Sequence, residues 1–133
     1  MTQFDNPVLD IPKIIDGDSQ KIQIDLGYRT YLTIRTRLHG LDCPAMSTSA
    51  GRIVKRYVES WLDSQLPLGT MRWVSFGLDM YGRSLGEFRI PVLSFDPISL
   101  NSILLAKKYA KPYDGQHARI PWTQTELDYI TDA

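Results

Sequence analysis

Two aspartates, two arginines and two glycine turns stand at intervals that could gather a cation and two guanidinium groups around one phosphate. The stretches are Asp16-Gly17-Asp18-Ser19, then Arg37 with Asp42-Cys43-Pro44, then Tyr81-Gly82-Arg83. Carboxylates suit a hard cation such as Ca2+, which takes several oxygen ligands. A cation on a phosphate oxygen polarises phosphorus and stabilises charge building in the transition state. Arginine serves the same end, because its planar fork reaches two phosphate oxygens and stays charged. Hydrolysis also needs an activated water. The residue after Pro44 is Ala45, where a hydrolytic site of this kind would want a carboxylate.

That alanine weighs heavily. A positioned general base is worth about 10²–10⁴ in rate, or roughly 3–5 kcal/mol of barrier. From Cys43 to Gly51 there is no Asp or Glu. Ser47, Thr48 and Ser49 can position a water but are poor bases, which leaves Glu59 and Asp79 as substitutes. Hydrolysis is expected to be weak or absent.

The elements that must position these residues are strands first. Ile11–Ile15 is a short apolar run ended by the Asp16-Gly17 turn, and Lys21–Leu26 alternates polar and apolar as a half-buried strand does. Thr30–Leu38 carries Leu32, Ile34, Thr36 and Leu38 on one face and Tyr31, Thr33, Arg35 and Arg37 on the other. These three make a β-meander. A helix capped by Ser47 or Ser49 is predicted to run to about Ser64, with Ile53, Val54, Tyr57, Val58, Trp61 and Leu62 as its apolar stripe. Strands near Met71–Phe76 and Ser84–Ile90 follow. A second helix is predicted from Asp96-Pro97 and a third from Thr123 to about Ile130. The order βββ-α-ββ-α-α predicts an α+β chain: a five-stranded Greek-key barrel of the OB type with about three packed helices.

The chain has 133 residues, 43% of them hydrophobic and 23% charged, which is enough for one domain with a real core. Residues 1–9 and 123–133 are read as peripheral extensions. No apolar run is long enough to span a bilayer, and the N-terminus has no signal-like pattern. The single cysteine, Cys43, fits a reducing compartment, so a cytoplasmic protein is expected. Formal net charge is zero, which argues against a strong non-specific grip on nucleic acid. The basic part is the middle: residues 29–83 hold eight Lys or Arg against four Asp or Glu.

Taken in order, the motifs resemble the staphylococcal nuclease (thermonuclease-like) family. The resemblance rests on Ile15–Ser19, Arg37–Pro44 and Asp79–Leu85, with Leu100–Leu105 and Tyr109–Gly115 behind them, and it covers roughly residues 10 to 122. It implies an OB-fold whose active members cut DNA or RNA with Ca2+. By resemblance Asp18 and Asp42 are carboxylate metal ligands and Cys43 adds its backbone carbonyl. Arg37 and Arg83 are the catalytic clamp on phosphate, and Tyr81 and Tyr113 line the nucleotide pocket. Ala45 falls where the family carries its catalytic glutamate. Cys43 replaces a usual threonine, and Lys108 a usual helix-ending glycine. A compact chain of this type would suit a phage or mobile element.

Plainer readings stand beside these. Asp16-Gly17 is a common hairpin turn. Arg37 can pair with Asp18 or Asp42 and hold a vacated site together, and Arg83 can be a surface residue. His39 and His117 read as structural or solvated, Cys43 as an inert thiol, and Trp61, Trp73 and Trp122 as core. Arg52, Lys55 and Arg56 read as the wet face of a helix. Three functions follow: a degenerate member that binds phosphate, nucleotide or single strands; a working Ca2+-dependent nuclease with a substitute base; and a protein-interaction module on the same barrel.

Overall fold

In a computed structural model that describes residues 4–91 and 97–132, five strands close into a barrel. They are β1 (Phe4–Asp16), β2 (Ser19–Gly27), β3 (Thr30–Leu38), β5 (Arg72–Leu78) and β6 (Ser84–Ile90). The sheet order is β3-β2-β1-β5-β6, and a parallel β3–β6 pairing joins its two ends. The described residues form an α+β, OB-like barrel with three helices.

The expected meander is present, and β1 does more than its apolar run suggests. Phe4–Pro7 pair with β5, while Val8–Asp16 pair with β2, so one strand serves two neighbours. Register shifts along its β2 edge mark bulges, and bulges are how a strand bends enough for a barrel to close. In β2, Ile22 and Ile24 are buried between wetter neighbours, following the alternation. Trp73 and Phe88 meet edge to face at 4.9 Å inside the barrel, and the Trp73 indole donates to Ser84 Oγ at 2.9 Å.

Helix α1 (Ser49–Gln65) buries Val54, Val58 and Leu62 against the barrel. Its cap is Thr48, between the two expected serines: Oγ1 accepts from Gly51 N–H at 3.0 Å and itself donates to Ala45 C=O at 2.6 Å. That second bond ties the loop after Pro44 to the helix start. Short strands β4 (Leu41–Asp42) and β8 (Lys111–Pro112) pair beside the barrel, and β7 (Ile98–Ser99) adds to β6. Helix α2 (Leu100–Ala106) starts later than expected, because Ser99 supplies the cap by accepting from Ser102 N–H; Asp96 lies outside the described residues. Helix α3 (Gln124–Thr131) lies where a third helix was expected, and Thr123 caps it in a full capping box with Glu126. Its Ile130 is buried in the shared core, so this stretch is packed structure.

Among the described residues no helix is long and apolar enough to cross a membrane.

Candidate functional site

The motif residues meet where β3 and β6 close the barrel. Hairpin pairing sets Ser19 opposite Arg37, and the parallel seam sets Arg37 opposite Leu85, two residues beyond Arg83. Side chains complete the link. Arg37 Nη1 lies 3.2 Å from Asp18 Oδ1, Ser19 Oγ donates to the same oxygen at 3.4 Å, and Arg83 Nη1 reaches Ser19 Oγ at 3.5 Å. Asp18 Oδ2 accepts the Cys43 N–H at 3.0 Å, which brings in the Asp42-Cys43 strand. Asp18, Arg37, Asp42, Cys43 and Arg83 thus belong to one connected cluster.

Close packing explains the glycine in the hairpin turn. A Cβ on Gly17 would lie 2.8 Å from Val54 Cγ1 and 3.1 Å from Cys43 Sγ, so only glycine lets α1 and the Cys43 loop seat on the turn. Asn101 on α2 holds the far side of that loop by donating to His39 C=O at 2.8 Å.

The two arginines differ in setting. Arg37 is buried, and its Nη2 donates to Leu41 C=O at 3.3 Å. Arg83 is partly exposed, with Nε on Asp79 Oδ2 at 2.6 Å and its guanidinium 5.5 Å from the Tyr81 ring centre. Burial raises the Asp79 pKa, but N–H donors of Arg83 and Tyr81 and the Arg83 guanidinium outweigh it and hold this carboxyl below its ordinary value. A carboxylate so held is a poor base. Glu59, the other proposed substitute, pairs with Lys55 at 3.8 Å on the outer flank of α1. Ala45 is exposed.

Burial, then the nearby Asp18 carboxyl, push Asp16 up to about 7. Burial, then the charges of Asp18, Asp16 and Asp42, push the Cys43 thiol well above its usual value, which fits an inert thiol.

The Asp42 carboxylate is engaged by residues other than Arg37. Its Oδ2 accepts from the Trp122 indole at 3.3 Å, and its Oδ1 is buried, without a hydrogen bond, 3.6 Å from Arg119 Nη1. It forms part of the wall of a cavity of about 550 Å³ that also includes Tyr113. Tyr113 N–H donates to Gly40 C=O and its hydroxyl to His117 C=O. Tyr81 and Tyr113 therefore sit apart: one at the Arg83 turn, the other beside Asp42.

As donors for Ca2+ these residues fit poorly in this arrangement. Asp18 spends both oxygens on Arg37 and the Cys43 N–H, whereas Ca2+ takes six to eight oxygen ligands. Among the described residues no three His, Cys, Asp or Glu side chains are grouped as a metal site.

Sequence reasoning missed three participants. Ser19 was legible in principle, since the hairpin register puts it opposite Arg37. Arg119 and Trp122 had no such signal, because they reach Asp42 from nearly 80 residues away along the chain.

Fold and cluster together define the class: an OB-like barrel with an arginine–carboxylate cluster at its closing seam. Compared with known proteins, the chain matches no family model and no curated protein.

Proposed function

We propose that this chain binds a phosphate-bearing ligand, a nucleotide or single-stranded nucleic acid, at the Arg37–Asp18–Ser19–Arg83 cluster, with weak or no hydrolysis. The reading is carried by one observation: guanidinium groups from β3 and from the β5–β6 turn converge on the adjacent side chains of Asp18 and Ser19. Arg83 is the accessible cation and makes the first contact with phosphate. Arg37, behind Asp18, strengthens the positive field and is engaged only when a phosphate oxygen displaces the carboxylate. Tyr81 offers a ring beside Arg83 for a base to stack on. Catalysis is weak on this account because Ala45 offers no base and Glu59 and Asp79 are bound elsewhere.

The test is cleavage of labelled denatured DNA at alkaline pH with Ca2+, run beside fluorescence-anisotropy binding of the same strand. The native chain is expected to bind and not cut, and Arg83→Ala to lose binding. Cleavage by the native chain that EDTA abolishes would overturn the reading in favour of a working nuclease with another base.

A second reading, a protein-interaction module, has its own observation: both arginines are already paired with carboxylates of the chain, Arg37 with Asp18 and Arg83 with Asp79. It expects Arg37→Ala to lower stability while the native chain binds neither nucleotide nor strand.

A further inference from the structure

The cavity beside Asp42 has chemistry that the arginine cluster does not use. One of its carboxylate oxygens, Asp42 Oδ1, is buried without a hydrogen bond, and a buried acceptor left without one costs free energy that a closer donor would recover. Asp42 and Tyr113 share the wall of the same cavity, about 550 Å³ in volume, with Asp114 nearby on that wall. The basic side chains on the cavity wall already have partners. Lys111 Nζ donates to Pro121 C=O and Glu126, and His117 pairs with Asp114.

One side chain already shows what suits the place. Arg119, mostly exposed, lays its guanidinium 5.8 Å from the Tyr113 ring centre and brings Nη1 to 3.6 Å from Asp42 Oδ1. That is attraction without a hydrogen bond, since N–H···O bonds close to about 2.7–3.2 Å. A free guanidinium, not tethered through Arg119's own backbone, can approach closer and make the bidentate pair that carboxylates favour. An aromatic face beside the carboxylate adds cation–π attraction.

We propose that this cavity binds a guanidinium or alkylammonium cation, with Asp42 as its anionic partner, Tyr113 as its aromatic wall and Arg119 as the resident side chain that the ligand displaces. The site does not involve Arg37 or Arg83, so it stands or falls separately from phosphate binding.

The experiment is an NMR titration of the ¹⁵N-labelled chain at constant ionic strength, reading the Trp122 indole and the Gly40 and Tyr113 amides. The probes are methylguanidinium and the blocked peptide acetyl-Gly-Arg-Gly-amide. Saturable shifts at these three positions are expected. Arg119→Ala removes the internal competitor and should tighten binding about threefold. Asp42→Asn keeps an acceptor for Trp122 but loses the charge, and should weaken binding by roughly tenfold or more. If Asp42→Asn does not fold, the exposed Arg119→Ala change still decides the matter. Tighter binding of the peptide would support the site and assign its ligand to a protein segment; equal binding would support it and assign a small cation. Shifts that sodium chloride reproduces, no tightening in Arg119→Ala, or saturable shifts with CaCl2 but none with methylguanidinium would each overturn the proposal.

Discussion

Arg37 and Asp18 form an ion pair that is almost wholly out of water, with side chains 8% and 7% exposed. Removing one partner of such a pair leaves a charge with neither solvent nor counter-ion. Arg37→Ala is therefore expected to cost about 3–5 kcal/mol of stability, even though the arginine also carries a functional reading. Urea denaturation of the variant measures this directly. An unchanged midpoint would mean that Asp18 finds other partners and that the pair is not what holds the seam. Arg37→Lys should recover part of the loss, since it restores charge but not the second bond to Leu41 C=O.

At the scale of elements, two turns carry separate tests. Helix α2 ends with Tyr109 N–H on Leu104 C=O and Lys108 N–H on Leu105 C=O, which is a Schellman motif. Its left-handed residue is Lys108 at φ 62°, where a side chain costs about 1–2 kcal/mol. Lys108 repays little of this through Tyr129, whose ring centre is 5.6 Å from Nζ, because an exposed cation–π contact is worth about 0.5–1 kcal/mol. Lys108→Gly is expected to stabilise the chain by roughly 0.5–1 kcal/mol, seen as a higher Tm. The β5–β6 turn depends on Asp79 as a carboxylate. Its folded pKa lies below the ordinary value of 3.8, so its contribution is present above that pH and is lost as pH falls through the folded pKa. Asp79→Asn should thus destabilise the chain at pH 7, by a margin that shrinks below about pH 4. Denaturant midpoints measured across that range check the sign, and a margin constant with pH would refute it.

The whole molecule has no net charge, so strand binding cannot draw on a broad positive field. If phosphate is held only by Arg37 and Arg83, about two charges are neutralised on a single strand. The slope of log K against log salt should then be shallow, about −1.4. Anisotropy titrations at several salt concentrations give the slope directly. A much steeper value would place binding on other basic surfaces, such as Arg52, Lys55 and Arg56 on the outer side of α1.

Much of this architecture was legible from residue types alone, because alternation and capping are local. The β2 alternation, a third helix beginning near Thr123 and the order of strands and helices are signalled by neighbours a few residues apart. The helix start at Thr48 was misplaced by one residue, since the bond that selects it runs back to Ala45 C=O and is a property of the loop's path. The grouping of Asp18, Arg37 and Arg83 was expected from their motifs, with Arg37 on β3 and Asp18 and Arg83 in the turns that lead into β2 and β6. That Arg37 can pair with Asp18 was among the readings of the sequence; that Arg83 pairs with Asp79, four residues before it in the same turn, was not. The fate of Asp42 was decided wholly by tertiary structure: Arg119 and Trp122 come from the far end of the chain to cover it. Sequence determined which chemical groups are present and which strands carry them. Only the closing of the barrel, and the return of the C-terminal segment over Asp42, decided which charges meet each other.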